Sequence, residues 1–208
     1  MAARTYADAL QWVLAGTDLL VAHVRQLDDG ELSAPSALPG WTRKHLIAHV
    51  AANAEALSNL VRWAKTGEPT PMYTSPDQRD ADIAAGGQRS AAELRAWLDE
   101  SALDLAAGLD SLTDEQWRAE VVTAQGRAVP ATEIPWLRAR EVCVHAVDLD
   151  TGVTFDDLPR AFLEALVVDI RGTRGLDAIP TGSWADQAAY LAGRPHALVN
   201  AVELGPWL

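Results

Sequence analysis

WLRAREVCVHAVDL, residues 136–149, sets a glutamate and a histidine four positions apart, with the only cysteine of the chain between them. Pro135 suits the first turn of a helix, and Leu137, Glu141, Val144, His145 and Asp148 recur at helical spacings until Gly152. An α-helix turns by about 100° per residue, so Glu141 and His145 lie about 40° apart, while Cys143 stands roughly 200° from Glu141. The thiol therefore faces away from both neighbours and cannot use either as its base. Cys143 is expected in the packed interior, where free cysteine usually resides.

Other amphipathic stretches surround this one. Residues 5–27 place Tyr6, Leu10, Val13, Leu14, Leu20, Val21, Val24 and Leu27 on one predicted stripe. After a Pro/Gly-rich connection, Thr42 is a plausible N-cap for a second helix that carries Leu46, Val50, Asn53, Leu57 and Leu60 inward and stops at Gly67. Residues 67–89 are rich in Pro, Gly and Asp and read as a long loop, a lid or pocket wall. Ser90 and Glu93 have capping-box spacing for a third helix. EVVTAQGRAVP, residues 120–130, suggests a short hairpin or an irregular turn. A fifth helical segment follows Pro159, and Ser183 to Ala192 reads as a last short helix. The pattern is mainly α, with a bundle of four helices and a C-terminal extension.

Composition narrows the function. With 208 residues, 49% hydrophobic content and eight tryptophans, the chain is expected to fold as one main domain with an appendage. A formal charge of −12 and the lack of any Lys/Arg cluster argue against a nucleic-acid partner. No stretch reaches the roughly 18 consecutive apolar residues of a membrane span, and the N-terminal residues do not read as a secretion signal. A single cysteine permits no internal disulfide, which suits a reducing cytoplasm. No Gly-rich phosphate loop or nucleophile elbow occurs.

Glu141 and His145, facing inward from one helix of a bundle, can share a metal with a histidine from a facing helix. His49 is the best candidate for that third ligand. The stretch HLIAH, residues 45–49, resembles half of a zinc-protease motif, but Leu46 stands where the general-base glutamate is required. His45 in the set would give a closed, structural site, whereas His49, Glu141 and His145 leave a position open. Zinc suits mixed imidazole and carboxylate ligands, and nickel, cobalt and copper are compatible with them.

Four stretches, LPGWTRKHLIAHVAANAEAL (38–57), WAKTGEPTPMY (63–73), TAQGRAVPATE (123–133) and WLRAREVCVHAVDL (136–149), together resemble the mycothiol-dependent maleylpyruvate isomerase family, within the DinB-like metal-binding bundles. The resemblance implies a DinB-like four-helix bundle over residues 1–155 and a shortened C-terminal region over 156–208. It implies a divalent metal, zinc in most members, on His49, Glu141 and His145, and an activity-bearing A-G-R arginine that falls on Arg194 of SWADQAAYLAGRPHA (183–197). The implied reaction is cis–trans isomerisation of maleylpyruvate to fumarylpyruvate in gentisate breakdown, with mycothiol as thiol cofactor. A guanidinium fork such as Arg194 suits a substrate carboxylate. Arg138 and Arg140 flank the metal motif, with Arg140 expected to be exposed or ion-paired, and Asn53 stands one turn beyond His49. Two rivals share these residues: a mycothiol S-transferase that keeps the thiol on an electrophile, and a non-catalytic metal-binding bundle.

Overall fold

The computed structural model describes residues 4–205 and Trp207. Its helices are α1 (Tyr6–Gln26), α2 (Asp29–Ser33), α3 (Arg43–Thr66), α4 (Pro76–Gly86), α5 (Ala91–Asp110), α6 (Asp114–Trp117), α7 (Ile134–Asp148), α8 (Arg160–Arg174) and α9 (Trp184–Leu191). Strands β1 (Glu120–Val122) and β2 (Ala128–Pro130) pair antiparallel, Val121 opposite Val129, so the hairpin suggested by residues 120–130 forms. Among the described residues no helix is long and apolar enough to cross a membrane.

Four long helices make the bundle. α1 packs on α7, α7 on α3, α3 on α5, and α5 closes the ring against α1. Local chemistry sets their starts: Thr5 with Asp8, Thr42 with His45, and Ser90 with Glu93 form capping boxes that satisfy first-turn N–H groups. Gly67 ends α3 at φ 75°, a left-handed turn that glycine adopts without steric penalty. The buried stripe of α1 runs through Ala9, Trp12, Gly16, Leu20 and Val24. Tyr6 and Leu14, expected on the inner face, are exposed instead. The small residues Ala9 and Gly16 let α1 lie close to α7, and that sets the helix rotation against the larger side chains. A Cβ on Gly16 would stand 2.6 Å from Cys143 Sγ and 2.7 Å from Val142 Cγ2.

Residues 67–89 are not a continuous loop. Ser75 caps α4, whose first helical position is Pro76, and the helix ends where Gly86 and Gly87 press on Ala48 and the His45 ring. A Cβ on Gly86 would lie 2.6 Å from Ala48, so the glycine pair permits α4 to dock on α3. Arg43 fastens the opposite ends of α3 and α7: its Nε and Nη2 donate to the carbonyls of Leu149 and Asp150 at 2.7 and 2.6 Å. The C-terminal region is helical among its described residues. α8 and α9 pack on one another, and Phe162 of α8 meets Trp12 and Trp136 edge-on or tilted, so this region shares the core of the bundle.

Candidate metal centre

α3 and α7 face each other with three polar side chains between them. His49 Nε2 lies 2.9 Å from Glu141 Oε2, and His145 Nε2 lies 3.2 Å from the same oxygen. One ligand atom from each residue falls within 4.8 Å of the others, a separation that fits one metal ion at their centre. The two imidazole rings stand nearly perpendicular, centroids 5.0 Å apart, and Trp41 meets His49 edge-on from outside.

The hydrogen-bond pattern tests whether these residues suit a metal. His145 Nδ1 is 2.9 Å from Asp148 Oδ2, which places its proton on that nitrogen. His145 Nε2 is buried, lies off the hydrogen-bond axis to Glu141, and has no hydrogen-bond partner. An imidazole held by a carboxylate on one nitrogen, with the other buried and unpaired beside a second carboxylate and a second imidazole, has the form of a metal ligand. The residues present therefore fit a divalent ion.

Electrostatics agree. Burial opposes charge on Glu141, yet the imidazoles of His145 and His49 beside it hold its carboxyl well below the usual range. Burial also opposes charge on His145, but Asp148 and Glu141 override it and lift the imidazole to about 9. Burial pushes His49 down, only partly offset by Glu141. Glu141 thus keeps its negative charge between the two imidazoles, where it can attract a cation.

His49 and Glu141 open onto a cavity of about 810 Å³. Its walls come from Trp63 and Asn53 of α3, the 69–75 segment, Arg79 of α4, the hairpin tip at Thr123–Gln125, and Trp207. His45 is not part of the site. Its Nδ1 accepts from the Thr42 hydroxyl at 2.7 Å, so the ring completes the helix cap. Cys143 is fully buried on the face of α7 that meets α1, and burial pushes its thiol up to about 12.

Arg194 lies behind the centre. Gly193 adopts φ 69°, and the amides of Gly193 and Arg194 donate to the carbonyls of Tyr190 and Ala189 at 3.0 and 2.8 Å, a Schellman turn that reverses the chain after α9. The turn aims the guanidinium at Asp148: Nε donates to Oδ1 at 2.9 Å and Nη2 to Oδ2 at 2.7 Å, while Nη1 donates to the Ala192 carbonyl at 2.6 Å. Reasoning from the A-G-R motif expected this fork at the substrate; here Asp148 and Ala192 occupy it, and it does not line the cavity. Arg138 is buried and donates from Nη1 to Val50 O and Asn53 Oδ1. Arg140 pairs with Asp169 at 3.1 Å and lies over Trp136 and Trp207. Asp148, Tyr73 and Arg79 were not recognised as site residues in the sequence. The i, i+3 spacing of Asp148 from His145 was the available signal for the first; α4, read as loop, hid Arg79.

A four-helix bundle with two imidazoles and a carboxylate converging from facing helices has the architecture of a bundle built around a candidate metal centre. Residues 3–150 match the family described as "Mycothiol maleylpyruvate isomerase N-terminal domain". The chain belongs to the mycothiol-dependent maleylpyruvate isomerase family and is an enzyme of that kind. It is similar over 100% of both chains to a solved structure of "the mycothiol-dependent maleylpyruvate isomerase", at 35% identity and a TM-score of 0.93. A solved histidine-to-alanine mutant of such an enzyme matches over 100% of both chains at 34% identity and a TM-score of 0.92. YfiT from Bacillus subtilis, "a probable metal-dependent hydrolase with an unusual four-helix bundle topology", shares the fold, with 17% identity, a TM-score of 0.57, and coverage of 70% of this chain and 85% of its own. No curated protein matches the chain in sequence.

Proposed function

We propose that this chain is a thiol-dependent cis–trans isomerase acting in the cytoplasm, which converts maleylpyruvate, or a close unsaturated acid, to its trans isomer with mycothiol and a divalent metal, zinc first. The observation that carries this reading is the convergence of His49, Glu141 and His145 at the base of a cavity large enough for a thiol and a small acid together. A divalent metal bound there would lower the pKa of a thiol cofactor and so supply a thiolate at neutral pH, the nucleophile whose addition, rotation about the resulting single bond and elimination would return the trans acid and the free thiol.

The chain's own residues do the rest. His49, Glu141 and His145 would hold the ion, and His49 and Glu141 line the cavity from which substrate and thiol would approach. Asp148 fixes the proton on His145 Nδ1 and so aims Nε2 at the centre. Arg194 is a positioning residue: it holds both oxygens of Asp148 and keeps that carboxylate in line with the ring. The 69–75 segment and the hairpin tip wall the cavity above these ligands.

Metal analysis beside an assay of maleylpyruvate turnover, with mycothiol present, absent and replaced by glutathione, tests the proposal. One metal per chain and mycothiol-dependent trans product are expected, both lost in His49→Ala. Thiol-independent turnover overturns the mechanism. A stable mycothiol conjugate with no trans product reassigns the chain as an S-transferase, and loss of the fold in His49→Ala without any thiol-dependent turnover of the wild type makes the metal structural.

A further inference from the structure

An anionic substrate entering a protein of net charge −12 needs a local cation to receive it. Among the described residues that line the cavity, Arg79 is the one permanent cation. Arg194 is committed to Asp148, Arg138 lies buried on Val50 O and Asn53, and Arg140 is paired with Asp169. Arg79 is different in kind. Its side chain keeps a third of its surface exposed, and its carboxylate partner is the neighbouring Asp80, itself 74% exposed and thus weakly held. Arg79 Nη2 lies 3.3 Å from His49 Nδ1, so the guanidinium stands beside the proposed metal ligands.

Two neutral donors accompany it. Arg138 Nη1 donates to Asn53 Oδ1 at 3.0 Å, which fixes the amide with its NH₂ as the donor end, and Asn53 lines the cavity. Tyr73 lines the same cavity as Arg79 and Asn53, and burial raises its phenol, so it stays protonated and able to donate. A guanidinium, an amide and a phenol on one wall, facing a cavity that contains Glu141 as its one acid, form an array suited to a carboxylate.

We propose that Arg79, flanked by Tyr73 and Asn53, is the carboxylate-recognising residue of this enzyme, and that its substrate is an unsaturated acid whose carboxylate seats against α4. This rests on the isomerase reading of the same site. The test is calorimetric titration of the zinc-loaded protein, without thiol, by maleate and by the uncharged dimethyl maleate, for wild type, Arg79→Lys and Arg79→Gln. Arg79→Gln should weaken maleate binding about 10- to 100-fold, the worth of a charge-assisted hydrogen-bond pair, and leave the diester unchanged. Arg79→Lys, which keeps charge but loses the fork, should lose less. Equal weakening of both ligands, or unchanged maleate binding, overturns the proposal. Loss of zinc from Arg79→Gln also overturns it, because Arg79 would then serve to hold His49. If the wild type makes no trans product while the maleate effect persists, the isomerase reading falls and the carboxylate subsite stands.

Discussion

His145 stands between two carboxylates, Asp148 at Nδ1 and Glu141 3.2 Å from Nε2, and together they govern its titration. An imidazole lifted to about 9 keeps two protons at neutral pH, so a metal at Nε2 must displace one of them. Apparent metal affinity should therefore rise with pH, by about tenfold per unit, and level off above about 9. Calorimetry at pH 7 in buffers of different ionisation heat should show proton release on metal uptake; a pH-independent affinity would contradict this. Cys143 makes the opposite case. With its thiol pushed up to about 12 and no exposed surface, it should resist alkylation in the native protein at pH 8, and Cys143→Ala should retain activity, as mass spectrometry and a turnover assay can check. The orientation of both residues was legible in the sequence, since helix geometry alone turns Glu141 and His145 one way and Cys143 the other. The partner of His145 Nδ1 was not singled out, because Asp148 read as one more member of a helical repeat.

At the scale of the elements, the bundle depends on how near α1 comes to α7. Gly16 lies against α7, and a methyl group there would overlap Cys143 Sγ and Val142 Cγ2. Gly16→Ala should destabilise the fold by roughly 1–3 kcal/mol despite the better helix propensity of alanine, measurable by urea denaturation. A neutral or stabilising result would mean that the helices separate at little cost. This contact also explains why periodicity misplaced the inner stripe of α1. Counting large apolar residues favours Tyr6 and Leu14, whereas the buried face is carried by Trp12 together with Ala9 and Gly16, whose lack of bulk lets the helices approach. α4 was missed for a related reason. Its Pro, Asp and Gly content weighed toward a loop, although Ser75 followed by Pro76 is a helix-start signal and the closing glycines serve docking rather than disorder.

Across the whole molecule, residues 46 positions apart meet at Asp148, which is fully buried between His145 and Arg194. Asp148→Asn keeps the shape but removes the charge that orients the imidazole. It should lower metal affinity by about 10- to 100-fold with the helical content retained, as competition with a chelator and circular dichroism would show. Unchanged affinity would remove Asp148 from the site. The bundle and the convergence of His49, Glu141 and His145 were readable because each rests on spacing within one helix or on two long helices facing one another. The destination of Arg194 was not, since it depends on a left-handed Gly193 and on tertiary packing that no local pattern encodes. Because the carboxylate of Asp148 is shared, the centre and the C-terminal region are thermodynamically reciprocal. Whatever tightens the hold on His145 must also fasten the tail, so amide hydrogen exchange in α9 should slow when zinc is added, and cutting the chain before Arg194 should loosen an ion that α9 never touches.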